Sequence, residues 1–206
     1  MNKTITTPES FFGFPLGSDR KMARWDRIVD YFRLLENESD RMEIIEMGPS
    51  TEGHPFLLAI VSSPENLKNL EHLRTLNDRI KNPGDASEEV IKQCANEGKA
   101  IILQSMGLHA SEIGSTQMVS ELAYDLIART DEEATRILDN VITLLVPCFN
   151  PDGQILVTDW YNEHLDTEYE GCGLPELYHK YAGHDNNRDA FMFNLVESRY
   201  VAQIMY

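Results

Sequence analysis

The sequence predicts an α/β fold, and three observations support this prediction. Short apolar runs at residues 42–47, 56–61, 100–103 and 141–146 have the length and the composition of strands. Longer stretches with apolar residues at helical spacing lie between these runs. Helices and strands therefore alternate along the chain, and this order is typical of α/β proteins.

The first elements are a helix and a pair of strands. A helix is predicted over residues 18–36, where apolar residues recur at helical spacing. Ser18 or Asp19 is the expected N-cap. The strands at 42–47 and 56–61 are joined by a segment rich in Gly and Pro, which predicts a hairpin-type connection.

Two helices and a third strand come next. The second helix is predicted to begin with Ser63 as N-cap and Pro64 at the first helical position. A loop at 82–85 separates it from a short helix over about residues 88–96. The run at 100–103 is continuously apolar, which is typical of a buried strand.

The following segment contains a helix, a capping signal and a fourth strand. A third long helix is predicted after Glu112, and Thr130 with Glu133 has the spacing of a capping box for a further short helix. The run at 141–146 predicts another buried strand. It ends in residues 147–153, whose Pro, Asn, Asp and Gly residues predict a tight turn.

The last part of the chain is predicted to be a loop followed by a helix. Residues 154–185 are polar with little periodicity, which predicts a long loop, and such loops are often functional. The apolar tail after it has no Gly, Pro or basic final turn that would end a helix, so we expect a helix that is cut short. Without a repeat or a clear linker, residues 1–206 are expected to lie in a single domain.

Composition restricts the classes of function. The chain has 34 acidic and 18 basic residues among 206, and its net charge of −16 would repel nucleic acids and anionic membranes. There is no apolar run of about 18 residues that could span a membrane. The first residues lack the apolar core of a secretory signal, so a cytoplasmic location is the default expectation and secretion stays open. Cys94, Cys148 and Cys172 form no zinc-type pair, and free thiols, buried for the first two, are expected.

The first candidate site follows the strand at residues 100–103. Gly107 interrupts the regular structure after this strand, and His109 and Glu112 follow it. Three residues apart in a helical turn, these two side chains lie on one face and can converge on one point. An imidazole and a carboxylate suit a zinc ion, and ligand sites in α/β sheets gather beyond the carboxyl ends of strands. The pair therefore predicts a metal site, and its alternative is an exposed loop histidine beside an ordinary surface acid.

Three segments in order resemble a known family. They are His-Ala-Ser-Glu at 109–112, Asn-Pro-Asp-Gly at 150–153, and the pair Asn187 and Arg188. Together they resemble the zinc carboxypeptidases, the carboxypeptidase A-like metallopeptidases, over most of the chain from about Trp25 onward. The resemblance implies a mixed β-sheet flanked by helices, a phosphorylase/hydrolase-like fold, of which this chain would be the N-terminal part.

The resemblance also implies roles for four residues. His109 and Glu112 would be two of the three protein ligands of a catalytic Zn²⁺ ion. Asn187 and Arg188 would hold the C-terminal carboxylate of a peptide or protein substrate. A guanidinium binds a carboxylate through two parallel hydrogen bonds, which lysine cannot imitate, and the amide adds a neutral donor. A surface salt bridge is the alternative for Arg188, and the segment 150–153 is expected to have a shaping role only.

Two departures from the family concern arginines. Ser111 stands where the carboxypeptidases usually carry Arg, which leaves one substrate contact without an equivalent. The family also keeps an arginine that stabilises the oxyanion, and no Arg lies between Arg136 and Arg188. Lys180 is the candidate substitute for it.

The largest departure concerns the zinc site itself. The family's third ligand, a His on a later strand, and its general-base Glu have no matching motif before Tyr206. His184 is the nearest histidine to Asn187, and we expect it to be a loop residue rather than the missing ligand. No catalytic residue is therefore expected in this chain, and the general base is expected beyond its last residue.

These expectations lead to one main function and three alternatives. The main one is a zinc-dependent metallocarboxypeptidase that hydrolyses C-terminal peptide bonds. A zinc deacylase or amidase that acts on N-acyl amino acids has a similar arrangement of motifs. A non-catalytic module could bind peptide C-termini through Asn187 and Arg188, and a plain structural or interaction domain is the last alternative. The sequence does not indicate the oligomeric state.

Overall fold

The computed structural model describes residues 4–179 and 181–205, and within them the chain forms four strands and ten helices. The strands are β1 (Met42–Pro49), β2 (Pro55–Val61), β3 (Ala100–Ser105) and β4 (Val141–Val146). The helices are α1 (Pro8–Phe12), α2 (Trp25–Glu38), α3 (Pro64–Lys68), α4 (Leu70–Lys81), α5 (Glu88–Glu97), α6 (Ile113–Ala128), α7 (Glu132–Asn140), α8 (Pro151–Glu163), α9 (Asn186–Asp189) and α10 (Val196–Met205). Helices and strands alternate, so the α/β class is confirmed.

The four strands form one mixed sheet in the order β1-β2-β4-β3. β1 pairs antiparallel with β2, as the predicted hairpin requires, and β2 pairs antiparallel with β4. β4 and β3 are parallel, so the carboxyl ends of both strands lie on the same side of the sheet. Whatever follows β3 and β4 along the chain is therefore brought close together.

Both faces of the sheet carry apolar clusters. One cluster joins the sheet to α2 and α6, and its buried members include Trp25, Phe32, Leu57, Val119 and Leu145. The other cluster lies on the opposite face and includes Phe56, Leu58, Ile60, Leu73 and Ile142. Neighbouring residues of β2 belong to different clusters because side chains along a strand alternate between the two faces.

The prediction that β3 is a buried strand is wrong. Five of its six residues are exposed, and Ile101 and Ile102 keep 44% and 46% of their surface accessible on opposite faces. The reason is the order of the strands, because β3 lies at the edge of the sheet and pairs with β4 alone among the described residues. β4 lies between β2 and β3 and is largely buried, as predicted.

The first long helix begins later than its periodicity suggests. α2 begins at Trp25 rather than near residue 18, and α1 precedes it. Arg20 has a positive φ of 59°, which an α-helix cannot contain. The guanidinium of Arg20 binds Glu170 at 2.8 Å and also contacts Asp166, which connects this non-helical segment to a loop distant in sequence.

Two capping predictions have different outcomes. Ser63 caps α3 by accepting a hydrogen bond from the backbone N–H of Asn66, as predicted, but the helix is interrupted at Asn69 before α4 begins. The prediction of a capping box formed by Thr130 and Glu133 is wrong. Asp131 caps α7 instead, because its carboxylate accepts the N–H of the third helical residue.

The segment after β4 begins a helix rather than forming a tight turn. Asn150 is the N-cap of α8 and accepts a hydrogen bond of 2.9 Å from the N–H of Gly153, with Pro151 in the first turn. Asn followed by Pro is a helix-start signal as well as a turn signal, since proline loses no hydrogen bond there. The predicted loop over 154–185 is therefore wrong in its first part, and among the described residues the loop covers 164–179 and 181–185.

Two expectations from composition concern thiols and membrane-spanning helices. Cys94 and Cys148 are buried free thiols, as predicted, and Cys172 is an exposed free thiol. Across residues 4–179 and 181–205, no helix has both the length and the apolar character that crossing a membrane requires.

Two buried glutamines, one on α6 and one on α8, bind the segment that leads into α2. The amide of Gln117 on α6 binds the backbone of Ala23 twice, accepting from its N–H at 2.7 Å and donating to its C=O at 2.9 Å. Gln154 on α8 donates to the same carbonyl oxygen at 2.9 Å. These bonds fix the segment that leads into α2.

We expect Gln117→Glu to lower the free energy of unfolding by about 2–4 kcal/mol, because a carboxylate cannot donate to the carbonyl of Ala23 and its charge is buried. The matched control is Gln203→Glu on the exposed part of α10, which should change stability by less than about 0.5 kcal/mol. Urea denaturation followed by circular dichroism measures both. Equal effects of the two substitutions would contradict the importance of the Gln117 bonds.

Candidate metal and carboxylate site

The segment that follows β3 is held against β4 and α6. Met106 continues the parallel pairing, since its N–H donates to the carbonyl of Val146 at 2.9 Å and its own carbonyl accepts from Phe149 at 2.7 Å. Gly107 has a φ of 64°, and a Cβ at this position would overlap a side-chain methyl of Thr116 on α6. Glycine is therefore required where the chain turns toward the candidate ligands.

His109 and Glu112 meet in the turn before α6. The Nδ1 atom of His109 lies 3.0 Å from Oε1 of Glu112. The N–H of Glu112 donates to the carbonyl of His109 at 3.0 Å, which closes the turn, and Glu112 is the N-cap residue of α6. The side chains converge as their spacing predicts, although they do so in a turn rather than in a helix.

Asp185 is a site residue that the sequence analysis missed. Its Oδ2 atom lies 3.6 Å from Nε2 of His109, so both ring nitrogens of the histidine face carboxylates. The other oxygen of Asp185 accepts the N–H of Arg188 at 3.0 Å and caps α9. The sequence could have indicated Asp185 as the N-cap of a helix that contains Asn187. Its contact with His109 results from the fold and has no signal in the sequence.

Helix α9 has a buried face and an exposed face. Asn186 and Asp189 are buried, and the amide of Asn186 donates to the carbonyl of Phe149 at 3.1 Å beyond the end of β4. Asn187 and Arg188 are exposed. Their side chains make no hydrogen bond or ion pair within the described part of the chain, so the surface salt bridge considered for Arg188 is not found there.

The other residues considered from the sequence lie as follows. His184 contacts buried Asp189, with 3.1 Å between Nε2 and Oδ1, and so belongs to the loop before α9. Ser111 is exposed in the turn between His109 and Glu112. Lys180 lies outside the described residues. Among those that are described, no group of three or more His, Cys, Asp or Glu side chains is arranged to hold a metal ion.

The second segment of the family resemblance anchors a loop beside the site. Asp152 is buried near the start of α8 and accepts hydrogen bonds from the hydroxyl of Ser50 and from the N–H of Glu52, the latter at 3.0 Å. Both partners belong to the connection between β1 and β2. The shaping role expected of this segment thus consists of a buried carboxylate that holds another loop.

Two tyrosines of the loop before α9, Tyr178 and Tyr181, lie close to Asp152 and Asp185. Tyr181 donates to Asp152 at 3.1 Å, and burial raises its pKa, with the negative charge of Glu197 adding to the effect. Burial also raises the pKa of Tyr178, and the charges of Asp185 and Glu112 contribute. Both phenols therefore stay protonated near neutral pH and can act as hydrogen-bond donors.

His179 lies between these two tyrosines and is fully buried. Its ring centroid is 5.1 Å from that of Tyr178 and 5.8 Å from that of Tyr181. Burial lowers the pKa of His179 below its ordinary value of 6.5, and the charge of Asp185 and the amide of Asn186 oppose this only in part. The ring is therefore neutral at neutral pH and packs against the two tyrosines.

A comparison with protein families identifies the class of this protein. The model of the zinc carboxypeptidase family matches residues 28–202. Because this match spans most of the sequence, the chain belongs to the zinc carboxypeptidase family. No curated protein matches it closely enough to count as a relative.

Solved structures, among them a carboxypeptidase, have the same fold. Carboxypeptidase A from Helicoverpa armigera is 16% identical, with a TM-score of 0.54 over 91% of this chain and 43% of its own. Thrombin activatable fibrinolysis inhibitor is 13% identical, with a TM-score of 0.55 over 99% of this chain and 47% of its own. The chain thus spans less than half of the length of either structure. At these identities the likeness shows the fold, and the mixed sheet flanked by helices is the one that the resemblance implied.

We expect the free energy of unfolding to fall as pH decreases below about 6.5, because the unfolded chain protonates His179 there while the folded chain resists it. The His179→Phe variant, which keeps an aromatic ring between the tyrosines, should show a weaker loss of stability between pH 7.5 and pH 5.5. The same substitution at exposed His72 is the control and should leave the pH dependence unchanged. Identical pH profiles for the wild type and His179→Phe would contradict the assignment. Urea denaturation at both pH values provides the measurement.

Proposed function

We propose that this chain forms the part of a zinc metallocarboxypeptidase that provides two zinc ligands and binds the substrate carboxylate. The substrate would be the C-terminus of a peptide or protein, and the reaction would be hydrolysis of its last peptide bond. The observation that carries the proposal is the position of Asp185, whose carboxylate contacts His109 and caps α9. In this proposal, the candidate metal pair and the pair Asn187 and Arg188 belong to one site, which Asp185 connects.

His109 and Glu112 suit the zinc ion that the family implies. One offers an imidazole nitrogen and the other a carboxylate oxygen, and these donor atoms are 3.0 Å apart. The carboxylate of Asp185 faces the other ring nitrogen, Nε2, which leaves Nδ1 for the metal. A carboxylate behind a histidine ligand fixes the ring orientation and increases the basicity of the ligating nitrogen.

A working enzyme of this kind needs groups beyond those described. Zinc bound by three protein ligands with an open fourth position polarises a carbonyl and lowers the pKa of water. A carboxylate general base must also accept and return a proton. The described residues provide two candidate ligands, so the proposal requires a third ligand and a general base from elsewhere in the complete enzyme.

Asn187 and Arg188 are suited to hold the carboxylate of the substrate. Arg188 is exposed and forms no ion pair within the described residues, although the chain carries 34 acidic side chains. A guanidinium without a partner can bind a carboxylate through two parallel hydrogen bonds. The side-chain amide of Asn187 on the same exposed face can add a third.

A second candidate function is a non-catalytic module that binds peptide C-termini. The observation that favours it is that the described residues contain an exposed pair, Asn187 and Arg188, that could bind a carboxylate, but only two candidate metal ligands. A deacylase that acts on N-acyl amino acids would use the same residues. Activity of the complete protein on peptides, compared with N-acyl amino acids, separates these candidates from the main one.

We expect the chain to bind Zn²⁺ through His109 and Glu112, so His109→Ala should abolish zinc binding measured by isothermal titration calorimetry. Asp185→Asn should weaken binding by about 10- to 100-fold, because it removes the carboxylate behind the histidine. Asparagine is as good an N-cap as aspartate, so this variant leaves α9 in place.

The matched control for zinc binding is His72→Ala on the exposed surface of α4, which should bind zinc like the wild type. Circular dichroism establishes that each variant is folded. Zinc binding that survives His109→Ala would reject the assigned ligand pair.

We expect the chain to bind a peptide with a free C-terminal carboxylate more tightly than the same peptide with a C-terminal amide. Arg188→Ala should weaken binding of the free acid by about 10- to 100-fold, or about 1.4–2.8 kcal/mol, and should hardly affect the amide. Arg188→Lys should restore only part of the loss, because an ammonium group cannot form the two parallel bonds.

Arg136→Ala is the control for this experiment, because Arg136 is an exposed arginine on α7, outside the candidate site. Fluorescence anisotropy with labelled peptides gives the dissociation constants. Equal affinities of the wild type for acid and amide would exclude the carboxylate-binding role.

A further inference from the structure

The helical turn of α9 continues beyond its last residue. Ala190 has α-helical dihedral angles, with φ of −59° and ψ of −16°, and the N–H of Met192 donates to the carbonyl of Asp189 at 3.0 Å. Phe191 therefore follows Arg188 by three residues and Asn187 by four along one continuous turn. Side chains at these spacings lie side by side, with their Cβ atoms about 5–6 Å apart.

The residues of this turn separate into two faces. Asn186 and Asp189 point into the protein and are buried. Asn187, Arg188 and Phe191 are all exposed. The proposed carboxylate-binding pair and an aromatic ring thus occupy the same accessible face.

Phe191 is unusually accessible for an aromatic side chain. With 78% of its surface exposed, it is the most exposed large hydrophobic residue within the described chain. Met192 and Phe193, at 44% and 39%, extend the apolar surface. A group of exposed apolar side chains such as this one is a candidate binding surface.

The exposure of Phe191 results from an ordered turn. The buried carboxylate of Asp189 accepts the N–H groups of Asn194 and Leu195 at 3.1 and 2.9 Å. Arg199 on α10 donates to the carbonyl of Phe193 at 2.8 Å.

Phe193 itself has a positive φ of 53°, an unfavourable conformation for a residue with a side chain. The hydrogen bonds to Asp189 hold the strained turn, and the turn fixes the backbone that carries Phe191.

We propose that Phe191 is a specificity-determining residue that contacts a bulky apolar side chain at the C-terminus of the bound peptide. The proposal rests on the proposed function, because it requires the carboxylate to be held by Asn187 and Arg188. A carboxylate on Arg188 brings the side chain of the same peptide residue within reach of the neighbouring ring. Burying that side chain against Phe191 removes apolar surface of both partners from water.

The charge of the chain supports the same class of ligand. Its net charge of −16 repels peptides that end in Asp or Glu. On the exposed face of the turn itself, the side chains beside Arg188 are an amide and an aromatic ring, and neither carries a charge. This face thus offers an apolar contact to the last residue of a peptide whose carboxylate is bound by Arg188.

The test uses three labelled peptides, acetyl-Gly-Gly-Phe as free acid, the same sequence as amide, and acetyl-Gly-Gly-Ser as free acid. We expect the wild-type chain to bind the Phe acid about tenfold more tightly than the Ser acid. Phe191→Ser should reduce this preference to less than about twofold, and Phe191→Leu should restore most of it, because leucine keeps an apolar contact. Tyr169→Ser, which removes another exposed aromatic ring, is the matched control and should keep the wild-type preference.

The outcomes separate this inference from the proposed function. If the acid and the amide bind equally, the carboxylate-binding role fails and the inference falls with it. If the acid is preferred but Phe and Ser peptides bind equally, or the preference survives Phe191→Ser, only the role of Phe191 is overturned. Self-association that Phe191→Ser abolishes, together with an unchanged peptide preference, would also overturn it by assigning the apolar surface to contacts between copies. Sedimentation at several concentrations measures this last outcome.

Discussion

The contact between Asp185 and His109 is the constraint on which the candidate site depends. It connects the turn after β3 to α9, two segments that are distant in sequence. The parallel pairing of β3 and β4 makes this contact possible, because the segments that follow the two strands begin on the same side of the sheet. The turn after β3 presents His109, while Phe149 after β4 anchors α9 through Asn186. The site therefore lies beyond the carboxyl ends of parallel strands, where ligand sites of α/β proteins gather.

Buried polar side chains, rather than apolar packing alone, hold the loops around this site. Asp152 binds the connection between β1 and β2, and Asp189 binds the turn that follows α9. A buried carboxylate is costly unless hydrogen bonds satisfy it, so each one fixes the backbone that supplies its donors. Burial alone would raise the pKa of Asp189, but hydrogen bonds from Leu195 and other donors outweigh it, and the pKa lies below its ordinary value.

Features with short-range signals could be predicted from the sequence. The periodicity located β1, β2, β4 and α6, and the spacing of His109 and Glu112 predicted that their side chains meet. Features set by tertiary contacts could not be predicted. The segment before α2 contains Arg20 in a left-handed conformation, and its ion pair with Glu170, far along the chain, has no signal in the local sequence. Asp185 is one of 34 acidic residues in the sequence, and only the fold distinguishes it from the rest.

The exposure of β3 has a similar cause, since an apolar run shows that a strand forms but not where it lies in the sheet. Its six residues carry no charge and no proline, which are the features that usually keep edge strands from pairing with other chains. For the 206-residue chain taken alone, we expect its net charge of −16 to oppose the pairing of two β3 strands from different copies at low ionic strength. At about 1 M salt the screening length falls to roughly 3 Å, and we expect this repulsion to be lost. The tendency of the isolated chain to associate through β3 should therefore increase with ionic strength.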